Sequence, residues 1–132
     1  MKITRLSTIA VGAALILAAC APSKITSKSV KEKLEKAGYK VTITEKEKVQ
    51  TFAKFEGFED KLTGLLASAT AAPEYIDAYF FDSADTANKA WEAVATDMVG
   101  VKYGEVELKG GVHNNVIYTA TDGAIKTAGL TL

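Results

Sequence analysis

Hydrophobic positions change period several times along this chain, and each change marks an element. Val30, Leu34 and Ala37 recur at i, i+4 and i+7, behind Ser29 as N-cap and Glu32 as its capping-box partner, which predicts a helix. Gly38 closes that helix as a left-handed C′ residue. The period then drops to two. Tyr39, Val41 and Ile43 alternate with Lys40, Thr42 and Thr44, the pattern of a half-buried strand. Residues 45–72 follow neither period well: Val49, Phe52, Phe55 and Phe58 are apolar, while Gly57 and Gly64 interrupt a helix. Within that stretch residues 65–70 read as a second strand in preference to a short helix.

Beyond Pro73 the pattern sharpens. Residues 75–81 are rich in aromatic and branched side chains and predict a central strand. Asp82, Ser83 and Asp85 supply helix-start chemistry, and Ala87, Ala90, Trp91, Val94 and Ala95 form the apolar face of a helix that ends at Gly100. Residues 103–109 alternate Val106 and Leu108 with Glu105 and Glu107. A turn at Gly110-Gly111 or at His113-Asn114-Asn115 then leads to a strand over residues 116–120. Asp122 caps a final helix carrying Ala124, Ile125 and Ala128. Short connections between neighbouring strands predict an α+β domain: an antiparallel sheet of about four to five strands with two to three helices packed on one face. In element order alone this resembles ferredoxin-like and related α+β sandwiches, and such a resemblance implies no activity.

The beginning of the chain has a different character. Lys2 and Arg5 form a basic head, residues 9–19 are apolar apart from Gly12, and the run ends in Leu17-Ala18-Ala19-Cys20. The apolar stretch is shorter than the ~20 residues of a spanning helix and has the layout of a secretory signal. The tetrapeptide resembles the bacterial lipobox, which implies cleavage before Cys20 and a diacylglycerol on its sulfur, with palmitate as a typical acyl chain. Cys20 is the only cysteine, and lipidation would account for a lone thiol in an exported protein. Each buried lipid methylene contributes ~0.8 kcal/mol, so several acyl chains anchor stably. The expected organisation is residues 1–19 as signal peptide, 20–28 as lipidated tether and 29–132 as one α+β domain. The expected location is the cell membrane or outer membrane, outside the cytoplasm.

Charge narrows the range of partners. Without Lys2 and Arg5 the chain keeps 14 basic and 16 acidic side chains and no arginine. Arginine supplies the bidentate fork that suits phosphate and guanine, so nucleic acid is an improbable partner. Residues 24–61 hold ten lysines against seven acids, whereas residues 62–132 hold four lysines against nine acids. The basic part follows the anchor and would lie against anionic headgroups, or simply form a solvated helix face.

Candidate chemistry is sparse. His113, the only histidine, lies in a glycine-rich stretch typical of a turn. Asp77, Asp82 and Asp85 form the best acidic group, though the fixed glycine and terminal glutamate of a calcium loop are missing and capping accounts for the last two. Gly110-Gly111 and Asp122-Gly123 match neither phosphate-loop pattern, and no G-x-S-x-G elbow occurs. Trp91, Tyr75, Tyr79, Phe80 and Phe81 have the spacing of a core. The chain therefore reads as a non-enzymatic envelope lipoprotein with no cofactor, no metal and no catalytic residue. It would be held in the membrane through Cys20 and bind a protein partner or support an envelope assembly. The alternative is a small-ligand or lipid carrier whose pocket is lined by Phe52, Phe55, Phe58 or Tyr79.

Overall fold

A computed structural model of the chain describes residues 24–130. Residues 1–19, expected to be a signal peptide, and Cys20 lie outside the described residues. Helix α1 (Ser27–Lys36) leads into β1 (Lys40–Glu45), a short 3-10 turn (Lys46–Lys48) and the one-turn helix α2 (Gln50–Ala53). Then come β2 (Phe58–Leu66), β3 (Glu74–Phe81), α3 (Ala84–Val94) and a second 3-10 turn (Ala95–Met98). The chain closes with the small hairpin β4 (Lys102–Tyr103) and β5 (Val106–Glu107), then β6 (Lys109–His113), β7 (Val116–Ala120) and α4 (Asp122–Ala128).

Five strands form one sheet in the order β1-β2-β3-β7-β6, and every neighbouring pair is antiparallel. The α+β class and the antiparallel sheet are those the sequence predicts. Strand β3 sits at the centre, as its composition predicts. Strands β3 and β6 therefore run parallel with β7 inserted between them, and α3 makes the crossover. Among the described residues no helix is long and apolar enough to cross a membrane.

The helices are shared between the two faces of the sheet instead of gathering on one. Because side chains alternate along a strand, Ile76, Ala78 and Phe80 of β3 enter a core with Val30 and Leu34 of α1 and Ile125 of α4. Phe81 enters a second core with Phe52 of α2 and Ala87, Ala90 and Val94 of α3. Strand β7 is buried at every position, which requires cover on both sides. Val116, Tyr118 and Ala120 belong to the first core and Ile117 to the second.

The entry to α1 differs from the predicted tether. Thr26 is the N-cap, with its Oγ1 accepting the Ser29 N–H at 3.1 Å, so Ser29 lies inside the helix and does not form a capping box with Glu32. Residues 24–28 consequently belong to the domain. At the other end Gly38, with φ +95°, completes a Schellman motif: Tyr39 N–H donates to Leu34 O and Gly38 N–H to Glu35 O, each at 3.0 Å. Thr121, rather than Asp122, is the residue before α4.

Strand β2 also departs from the expected residues 65–70. Its alternating inward positions are Leu62 and Gly64, and a Cβ on Gly64 would lie 3.2 Å from Leu34 Cδ1 and 3.1 Å from Ile76 Cγ2. The glycine lets α1 approach the sheet, so what reads as a breaker is a packing position. Gly110 and Gly111 behave likewise. Both lie in β6, where added Cβ atoms would meet Met98 O at 2.5 Å and the Tyr118 hydroxyl at 2.8 Å. The β6–β7 turn falls at His113-Asn114-Asn115, with Asn114 at φ 54°.

Candidate functional site

Helices α2 and α3 cover only part of their face of the sheet. The rest, over β1, β2 and the first half of β3, stays open. Register places Thr42 beside Thr63 and Thr63 beside Asp77 across the three strands, and Thr44, Lys61 and Tyr79 form the next row. Thr42 is exposed, while Lys61, Thr63, Asp77 and Tyr79 are half-buried.

Asp77 is the centre of this surface. Its Oδ1 accepts the Thr63 hydroxyl at 2.8 Å, both its oxygens lie 3.2 Å from the Tyr75 hydroxyl, and Lys61 Nζ stands 3.7 Å away. Aromatic stacking locks both tyrosines. The Tyr75 ring lies on Tyr103 of the β4–β5 hairpin, centroids 4.3 Å apart and 12° from parallel. The Tyr79 ring lies on Phe52 at 4.0 Å and 12°, and Lys61 Nζ sits 5.4 Å from the Tyr79 ring centroid. The result is a hydrogen-bonding surface with fixed rotamers, flanked by α2 on one side and the hairpin on the other.

Both phenols are held protonated. Burial, then the neighbouring Asp77 charge and its hydrogen bond, pushes Tyr75 from the ordinary 10.0 up to about 12. Burial, followed by Asp77 and Tyr75, raises Tyr79 as well. A folded-state pKa above the unfolded value means that folding favours the neutral phenol. That contribution is complete below pH 10.0 and is lost as pH rises toward about 12. Phenolate absorbance near 295 nm should therefore show a late component that rises together with loss of near-ultraviolet dichroism. Tyr75→Phe should remove part of it. Ionisation of Tyr75 at its ordinary value with the fold intact would contradict this geometry.

The other candidate residues fall elsewhere. Asp82 and Asp85 are not gathered with Asp77; they sit at the junction of β3 and α3. Ser83 caps α3 by accepting the Thr86 N–H at 3.2 Å, Asp82 accepts the Thr86 hydroxyl at 2.7 Å, and Asp85 occupies the first turn. Among the described residues no three His, Asp or Glu side chains are arranged to hold a metal. His113 ends β6 at the turn. Phe52, Phe55, Phe58 and Tyr79, expected around a pocket, pack on one another, with Phe52 ring centroids 5.6 Å from Phe55 and 5.7 Å from Phe58. The adjoining hollow, beside Phe55 and Glu56, is only about 80 Å³. A larger cleft of about 460 Å³ runs beside the edge strand β6 and is lined by Val99, Gly110, Gly111 and Val112. Val99 is the most exposed large apolar side chain of the described residues, at 75 %.

Sequence reasoning singled out Asp77 but missed Thr63, Lys61 and Tyr103. The alternation of polar and apolar residues in Thr42-Ile43-Thr44 and Lys61-Leu62-Thr63 is the available signal for Thr63 and Lys61, and it points to an outward polar face. The chain matches no known protein family, no curated protein and no solved structure.

Proposed function

We propose that this chain is a lipid-anchored protein of the bacterial cell envelope. In this reading it is cleaved before Cys20 and acts without catalysis by binding a protein partner or supporting an envelope assembly. The observation that carries the reading is the open half of the sheet, where Thr63, Lys61, Asp77 and Tyr75 form a preordered polar surface and not the wall of an enclosed cavity. A broad surface whose rotamers are already held costs little ordering on binding, which suits a protein partner. The anchor is supported by the tetrapeptide Leu17-Ala18-Ala19-Cys20, behind its basic head and apolar run.

The test is chemical cross-linking of intact cells that express tagged wild type or Cys20→Ala, followed by mass spectrometry of what is recovered. A specific envelope partner found with the wild type and lost from Cys20→Ala supports the proposal. Recovery of no partner from either form counts against it. A second reading, a small-ligand or lipid carrier, draws on the cleft of about 460 Å³ beside β6, which falls in the ~300–1,000 Å³ range of ligand pockets. A rise in melting temperature with a metabolite or fatty acid, abolished by Val99→Trp at the exposed wall of the cleft, would favour it.

A further inference from the structure

The chain is fastened to the domain from its first described residues. Lys24 Nζ pairs with Glu59 at 2.6 Å, and the Ser27 hydroxyl donates to Asp60 at 2.8 Å. Ile25 is held on both sides of its backbone: its N–H donates to Asn115 Oδ1 and its carbonyl accepts from Asn115 Nδ2, each at 2.8 Å. The same Nδ2 donates to Phe81 O at 2.8 Å, and the Ile25 side chain packs on the first core. The buried Asn115 amide thus clamps the incoming chain to the end of β3 and the start of β7. The 82–85 turn, Asn114 and the Gly57 turn share this end, the last through the Asp82 N–H to Gly57 O bond of 2.8 Å.

We propose that this end of the domain faces the bilayer, with the lipid surface as its partner, and that the opposite end is held away from it. The inference rests on lipidation of Cys20. Four residue steps from Cys20 to Lys24 span at most ~14 Å. The eight residues of β3 run from the far end back toward the clamp over ~23 Å. Glu56 and Asp85 at the clamped end therefore lie within tether reach of the headgroups, while Ser68 and Ala71, beyond the far end of β2, stand off by the length of the sheet.

Electrostatics does not tip the domain onto its side. Helix α1 runs from the clamped end toward the far end, and its lysines alternate with Glu32 and Glu35. Lys33 is exposed, and its ammonium lies beside Gly129 at the C-terminal end of α4, where a cation complements the helix dipole. The helix itself offers no uniform basic face to anionic lipid.

The experiment uses single-tryptophan forms of the full chain in a Trp91→Phe background, with Asp85→Trp or Glu56→Trp at the clamped end and Ser68→Trp or Ala71→Trp at the far end. All four positions are exposed, and two probes at each end guard against one variant failing to fold. Each protein, lipidated in cells, is reconstituted into phosphatidylcholine vesicles carrying a nitroxide on the headgroup. The clamped-end probes should lose most of their fluorescence relative to nitroxide-free vesicles, and the far-end probes should keep most of theirs. Equal quenching at both ends, or stronger quenching at the far end, overturns the orientation. The mass of the Cys20 peptide is read separately: an unmodified cysteine overturns lipidation and the proposal with it, whereas a lipidated cysteine with equal quenching overturns the orientation alone.

Discussion

Phe80→Ala and Phe81→Ala should each destabilise the domain by about 3–5 kcal/mol, although the two residues are neighbours that touch different cores. Both side chains are almost wholly buried, at 1 % and 0 % exposure. Phe80 fills the core under α1 and α4, whereas Phe81 meets Phe52 and Phe58 edge-on, with centroids 6.4 Å and 5.6 Å apart. Removing either ring takes away apolar burial and leaves a cavity that the surrounding sheet and helices fill only in part. Urea unfolding followed by circular dichroism measures both costs. Ile43→Ala, at 36 % exposure on the edge strand β1, is the control and should cost well under half as much. If one of the two phenylalanines proved as tolerant as Ile43, its face of the sheet would not be a core, and the two-sided arrangement of helices would be wrong.

Asn115→Ala should cost about 2–4 kcal/mol, a large effect for a polar residue. The side chain is 1 % exposed and its amide makes three hydrogen bonds of 2.8 Å, to both backbone groups of Ile25 and to Phe81 O. Alanine removes a partner from two carbonyls and an N–H where water has little access, so the loss exceeds the net worth of the bonds. Asn115→Asp should be at least as costly, because it keeps the acceptor for Ile25 N–H but sets an oxygen against two carbonyl oxygens. Hydrogen exchange gives the residue-specific reading: the Ile25 amide should lose its protection in Asn115→Ala while the β2–β3 ladder keeps most of its own. An Ile25 amide that stayed protected would show that the chain is held by something other than Asn115.

Much of the fold was legible because its signals are local. The α1–β1 unit is written in the spacing of Val30 and Leu34, in Gly38 and in the alternation that follows. Strand β3, helix α3, strand β7 and helix α4 are equally plain, since their apolar runs are bounded by Pro73, Ser83, Gly100, Asn114 and Gly129. Three glycines share one cause of misreading. Gly64, Gly110 and Gly111 read as interruptions or turns, but each lies in a strand where another group comes too close for a Cβ. Nothing in the neighbouring sequence distinguishes a glycine that turns the chain from one that admits a partner. The placement of helices on both faces had a weaker trace. In residues 116–120 only Thr119 breaks the apolar run, and strict alternation would have left one face of β7 polar.

The candidate site was legible only as a list of residue types. Asp77 stood out as an acid in an apolar strand, yet its grouping with Asp82 and Asp85 followed proximity in sequence. Its real partners are Tyr75 on its own strand, Thr63, 14 residues away, and Lys61 on the same strand as Thr63. Asn115 looked like a turn residue. Its contact with Ile25 spans 90 residues, and no local pattern announces it.

The sequence by itself determined the periods, the caps and the class of fold, because these depend on side chains three or four positions apart on a helix and two apart on a strand. It also carries the tetrapeptide Leu17-Ala18-Ala19-Cys20, a linear motif that resembles the lipobox. Only the tertiary structure decided which face each helix covers, which glycines are packing positions, what surrounds Asp77 and where the incoming chain is clamped. Those outcomes rest on hydrogen bonds and close contacts between residues far apart in the chain, and they exist only once the strands have found their register.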